Sequence, residues 1–128
     1  MNSDIIPQNI RDFILQNIDS VAQLEALLIF QSNPQDVCDS ETIVHTLFID
    51  KPQAELILNR LLGQGFIIEE PKGSKAYRYQ PKSEELVNIA KQVAELYQLY
   101  LVPVTNLIHS KPKAKMQQFA DAFKIRKD

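Results

Sequence analysis

Few residues in this chain have the type and spacing for covalent, metal or acid–base chemistry. There is one cysteine, and there are two histidines. Cys38 would become a strong nucleophile only if a nearby positive charge or a helix start lowered its pKa. Its neighbours Asp36 and Asp39 act the other way. His45 and His109 stand far apart, and one cysteine with two separated histidines is poor material for a zinc site. Glu69 and Glu70 are adjacent carboxylates, but neighbours in a strand point to opposite faces and form no dyad. The chain carries no glycine-rich phosphate loop and no nucleophile elbow. The expectation is a protein that is not an enzyme and uses neither cofactor nor metal.

What remains is charge and hydrogen-bonding capacity. The 128 residues are 45% hydrophobic and 23% charged, with a net charge of −2. That is the make-up of one ordinary globular domain able to bury its own core. A single cysteine excludes an internal disulfide framework. No stretch approaches the roughly 20 apolar residues that span a bilayer. The start, MNSDIIPQNIRDF, has no basic run followed by an apolar one, so the expected compartment is the cytoplasm and no membrane partner is expected. The charge is uneven. Residues 1–50 hold one basic and eight acidic side chains, a net −7, whereas residues 51–128 hold thirteen basic and eight acidic ones, a net +5. Such asymmetry marks either a surface for an anionic partner or an acidic segment packed near a basic one.

These side chains must be positioned by the elements around them. Asp4 is expected to cap a helix over about 5–17, with Pro7 in its first turn. Ile6, Ile10, Phe13, Ile14 and Ile18 fall on one face of it. Ser20 and Gln23 match a capping box for a second helix, about 21–31, with Leu24, Leu27, Leu28 and Phe30. Ser32-Asn33-Pro34 favours a turn. Ser40 is the expected cap of a third helix, about 41–48, carrying Ile43, Val44, Leu47 and Phe48. Asp50 can accept from the exposed amides of a fourth helix, about 51–63, which tolerates Pro52 in its first turn. That helix would bury Ala54, Ile57, Leu58, Leu61 and Leu62, and Gly65 suits the left-handed stop. Residues 66–70 read as a strand, Pro71-Lys72-Gly73-Ser74 as a turn, and residues 75–79 as the return strand.

A long helix is expected from about 83 towards 109. One apolar stripe on it is Leu86, Ile89, Val93, Leu96, Tyr100 and Leu107. A second is Val87, Ala90, Ala94, Tyr97, Leu101, Val104 and Ile108. Their three-and-four spacing is that of a heptad seam, and together they make a face wider than a small domain can cover. Pro103 is expected to kink or break the helix. Residues 113–128 read as a short amphipathic tail helix, with Met116, Phe119, Ala120 and Phe123 among lysines.

Three helices, a hairpin and a long helix follow the order of a winged helix-turn-helix. Asp50-Lys51-Pro52-Gln53-Ala54, then Leu58-Asn59-Arg60-Leu61, then Gly65-Phe66-Ile67 resembles the recognition helix and first wing strand of MarR-type regulators. The resemblance covers about residues 20–81. Tyr77-Arg78-Tyr79-Gln80-Pro81 and residues 119–127 are also similar to a group of small bacterial regulators of unassigned ligand. The resemblance implies a reader of duplex DNA whose second motif helix lies in the major groove. Carried onto this chain, the candidates on that helix are Lys51, Gln53, Glu55, Leu56, Asn59 and Arg60. Lys51 and Arg60 would meet phosphates or guanine, Gln53 and Asn59 adenine, and Glu55 cytosine. At the hairpin, Lys72, Lys75 and Arg78 would meet phosphates or the minor groove. The chain departs from the family at Leu56, which is apolar on the presumed reading face. It departs again in its short wing, which lacks the family's aspartate-with-arginines pattern.

The expected fold is therefore mostly α with a small β-hairpin wing, a winged helix-turn-helix followed by a long C-terminal dimerisation helix. Residues 1–82 would form the winged-helix domain and residues 83–128 the helical extension. The expected homodimer interface comprises Leu86, Ile89, Val93, Leu96, Tyr97, Tyr100, Leu101, Val104, Leu107 and Ile108. Two-fold symmetry would set two recognition helices about 34–36 Å apart on one side of a duplex. The expected function is a bacterial-type, DNA-binding transcriptional regulator, with a small-molecule effector or protein partner left open. The rival reading is a winged-helix adaptor that binds protein and not DNA.

Overall fold

The computed structural model describes residues 5–110; Asp4 and the expected tail helix over 113–128 lie outside the described residues. The chain is mostly helical, with a small two-stranded antiparallel sheet. In order, the named elements are α1 (Gln8–Asn17), α2 (Val21–Ser32), α3 (Ser40–Leu47), α4 (Lys51–Gln64), β1 (Ile67–Glu69), β2 (Tyr77–Tyr79) and α5 (Glu84–Leu99). Residues 101–110 are helical again and are called α6.

By backbone contacts the chain divides into two compact units. One is residues 22–94; the other joins residues 1–21 with residues 95–128, of which 5–21 and 95–110 are described. The division does not follow the expected boundary between 82 and 83. The reason lies in α5, whose first part supplies fully buried Ala90 and Val93 to the 22–94 unit.

In the 22–94 unit, α2 buries Leu24, Ala26, Leu27 and Phe30. Leu28, expected in that stripe, is only half-buried. A buried side chain of this size contributes roughly 1.5–3 kcal/mol. α3 packs on α4, and α4 packs on β1. The cap of α3 is Asp39 and not Ser40: its carboxylate accepts from the Thr42 N–H at 3.0 Å, leaving Ser40 as the first helical residue. Aspartate and serine are equally good caps, so composition alone does not separate adjacent candidates. α3 stops at Phe48, which is left-handed at φ 57°. Three residues later α4 begins, with the Asp50 carboxylate accepting from the Gln53 N–H at 2.9 Å. Gly65 ends α4 at φ 86°, as expected. A Cβ there would also meet the Lys82 side-chain stem at 2.5 Å, which would have to move aside; the requirement for glycine comes from the positive φ.

The hairpin pairs Ile67 with Tyr79, Ile68 with Arg78 and Glu69 with Tyr77. Both strands are shorter than expected because the tip holds more chain. Glu70 N–H bonds Ala76 O at 2.9 Å, Ser74 N–H bonds Pro71 O at 3.0 Å, and Glu70–Pro71 is cis. Cys38 lies beside this sheet. It exchanges two backbone hydrogen bonds of 2.8 Å with Tyr77, so the segment before α3 is tied to the outer edge of β2.

In the other unit, the buried side chains are Ile6, Ile10, Phe13, Ile14 and Ile18, with Val104, Leu107 and Ile108. Pro7 occupies the N-cap position of α1 instead of its first turn, and no side chain caps that end. The expected break at Pro103 is present. α5 ends at Leu99 and α6 restarts at 101, with Tyr100 N–H bonding Leu96 O and Val104 N–H bonding Tyr100 O. Proline has no N–H to return to residue 99, and its ring crowds that carbonyl.

Candidate nucleic-acid interface

α4 buries Ala54, Ile57, Leu58 and Leu61 and turns every expected DNA-facing residue outward. Lys51, Gln53, Glu55, Leu56, Asn59 and Arg60 are all exposed. Leu62, expected in the stripe, is also on the outside, 37% exposed. The Asp50 cap and the proline at the N-terminus fix where α4 starts, and therefore which way Gln53 and Asn59 project. The outward charges on α4 are two positive, Lys51 and Arg60, and one negative, Glu55.

The hairpin distributes its charges unevenly. Arg78 is half-buried and pairs with Glu70 through Nε, while its Nη2 donates to Gln80 Oε1 at 3.2 Å. Arg78 thus stiffens the hairpin from within, a role its spacing did not announce. Lys72 and Lys75 are exposed. The Glu69 carboxylate accepts from the Lys75 N–H at 2.8 Å and is pulled below the ordinary carboxylate range, first by the Gly73 amide and then by that of Lys75. Lys72 and Lys75 add to this by their charge. Glu69 therefore folds the tip back on itself, and Gly73 (φ 85°) and Lys75 (φ 60°) take the left-handed turns that this demands.

α3, α4 and β2 meet around a cleft of about 150 Å³, lined by Ser40, Glu55, Leu58, Asn59, Lys75 and Tyr77. Three expected contact residues, Glu55, Asn59 and Lys75, are brought together there. Lys51, Gln53, Arg60 and Lys72 do not line it. Ser40, Leu58 and Tyr77 were not expected at the site. Strand alternation puts Tyr77 and Tyr79 on one face of β2, with Lys75 in the turn before it, but nothing in sequence reveals that Tyr77 and Lys75 meet α4. Burial raises the Tyr77 phenol's pKa, with Glu69 and Glu55 adding to it, and burial likewise raises that of Tyr79.

Cys38 is buried, and its thiol pKa is raised by desolvation and by Asp36 and Asp39. That is the reverse of an activated thiol. Among the described residues, no group of three or more His, Cys, Asp or Glu could hold a metal. No single helix there is long and apolar enough to cross a membrane.

The expected dimer face divides in two. Val93, Val104, Leu107 and Ile108 are already buried in a single chain, so these four belong to the core of their own units. Leu86, Ile89, Leu96 and Tyr97 are half-buried. Tyr100 and Leu101 are exposed, and they sit in an unbroken exposed run from Leu99 to Val102. Leu99 and Val102 were outside the expected set. Four successive apolar residues ahead of a proline were the available signal, because consecutive positions on a helix cannot all face inward. Comparison of the chain with protein-family models, curated proteins and solved structures found no match.

Proposed function

We propose that this chain is a winged-helix protein that binds duplex DNA as a homodimeric transcriptional regulator. The observation that carries the reading is the outward side of α4, where Lys51, Gln53, Asn59 and Arg60 project from a helix held by a capped turn against α3. An exposed helix of 14 residues bearing amides and cations suits a major groove, since amides reach adenine edges and cations reach guanine or phosphate. Lys72 and Lys75 at the hairpin tip would take backbone phosphates, and Arg78 would hold the wing in shape. The C-terminal helices would form the dimer, with Tyr100 and Leu101 as its accessible contacts. The compartment consistent with this reading is the cytoplasm.

Selection of bound duplexes from a randomised pool tests the proposal. An enriched two-fold symmetric motif is the expected outcome. Asn59→Ala and Gln53→Ala should each relax preference at one position per half-site, by about 1–3 kcal/mol. A pool that is never enriched would count against groove reading.

A second reading is supported by two side chains. Phe48 is 91% exposed in the turn before α4, and Leu56 is 70% exposed on the helix. Large exposed apolar residues suit a protein partner. Under the adaptor reading, Phe48→Ala and Leu56→Ala would abolish capture of that partner, and no duplex would be selected by the unaltered protein.

A further inference from the structure

The cleft between α3, α4 and β2 joins three expected DNA contacts, Glu55, Asn59 and Lys75, to two hydroxyls that a duplex reader does not require, those of Ser40 and Tyr77. Its floor is Leu58 and Tyr77, 2% and 8% exposed. Its polar lining is Ser40, Glu55, Asn59, Lys75 and Tyr77. Among the described residues, none of these five side chains makes a hydrogen bond or ion pair. Tyr77 is nearly enclosed, yet no enclosed polar atom is left unsatisfied. Its hydroxyl must therefore open onto the solvent of the cleft.

Glu55 and Lys75 share the cleft without pairing with each other. Opposite charges that line one cleft without pairing, together with the Ser40 and Tyr77 hydroxyls and the Asn59 amide, constrain what can bind. A simple anion would meet the Glu55 carboxylate, and a simple cation would meet the Lys75 ammonium. An apolar molecule would strip water from five polar groups and return nothing. A molecule carrying both charges satisfies both walls. The volume, about 150 Å³, is roughly ten times what one water needs, and it falls below the roughly 300 Å³ at which drug-sized pockets begin.

We infer that this cleft is a binding site for a small zwitterion of amino-acid size, its ammonium on Glu55 and Asn59 Oδ1 and its carboxylate on Lys75 and the Ser40 and Tyr77 hydroxyls. Charge-assisted hydrogen bonds on both ends make the two charges of the ligand jointly necessary. This site goes beyond the nucleic-acid reading; it shares Asn59 and Lys75 with that reading, so the zwitterion and a duplex would compete for them.

The test is an NMR titration of the full chain, without DNA, using glycine and L-alanine as probes and acetate and ethylamine as single-charge controls. The expected result is a saturable shift of the backbone amides of Glu55, Asn59, Lys75 and Tyr77 with the zwitterions. Each control should bind about tenfold more weakly or worse, the loss of one charge-assisted contact. Glu55→Gln and Lys75→Met, both at exposed positions, should each weaken alanine binding about tenfold and leave the remaining spectrum in place. Absence of a saturable shift would overturn the inference. So would equal binding of acetate, ethylamine and alanine, or unchanged affinity in both variants.

Discussion

α4 and the α5–α6 segment are built on the same inward rule and opposite outward ones. Each buries a narrow apolar stripe: Ala54, Ile57, Leu58 and Leu61 on α4, and Ala90 and Val93 on α5. Outward, α4 shows Lys51, Gln53, Glu55, Asn59 and Arg60 around one strongly exposed apolar residue, Leu56, whereas the α5–α6 junction shows an unbroken apolar run, Leu99, Tyr100, Leu101 and Val102. The inward stripe holds each helix in its unit. The outward residues differ in what they can recruit, hydrogen-bonded and charged surfaces on α4 and apolar ones at the junction.

The comparison breaks most visibly if the inward stripe of α5 is charged. Val93 is fully buried, so Val93→Glu should cost about 3 kcal/mol or more and abolish the cooperative thermal transition, not merely separate protomers. Leu101→Glu is the contrast. Leu101 is 53% exposed, so stability should stay within about 0.5 kcal/mol. Under the proposed assembly, sedimentation should then report a monomer for this variant and a dimer for the unaltered chain. On the α4 side, Gly65→Ala should cost about 1–3 kcal/mol in chemical denaturation, since φ 86° is strained for alanine. The Lys82 stem must also move aside. Gly73→Ala should cost less, because nothing lies within 4 Å of its added Cβ.

The charged side can be sharpened at the hairpin. Lys72→Ala and Lys75→Ala should leave the melting temperature unchanged. Each should lower the salt slope of duplex binding by about one. The smallest effect concerns Glu69. Its pKa is lowered in the folded chain by the Gly73 and Lys75 amides, so its contribution is full above the unfolded pKa and is lost as pH falls through the folded one. The Lys75 amide resonance should therefore titrate below the ordinary carboxylate range, and Glu69→Gln should flatten that titration.

The contrast between the two regions also explains what could be read from the chain beforehand. Element order, the Asp50 cap, the Gly65 stop and the Pro103 break depend on local backbone chemistry, which neighbouring residues carry with them. Asp39 and Ser40 are equivalent caps by type, so tertiary placement chose between them. The place of Cys38 beside the sheet was not legible, because its two bonds to Tyr77 join positions far apart in the chain. Arg78 looked free because its partner Glu70 is reached only across the folded tip. Val93, Val104, Leu107 and Ile108 fit a seam by spacing, and periodicity reports burial without saying against what. The cleft drew Ser40 and Tyr77 into a group with Glu55, Asn59 and Lys75 only through the packing of α3, α4 and β2.

The central claim is that α4 and the hairpin tip engage duplex DNA. Fluorescence anisotropy of a labelled generic duplex, titrated with the full chain across a salt series, tests it directly. The account predicts binding that weakens linearly on logarithmic axes, with a slope of about −0.9 for each phosphate neutralised. That slope should fall in Lys72→Ala and Lys75→Ala. No binding even at the lowest salt, in protein shown to be folded, would contradict it.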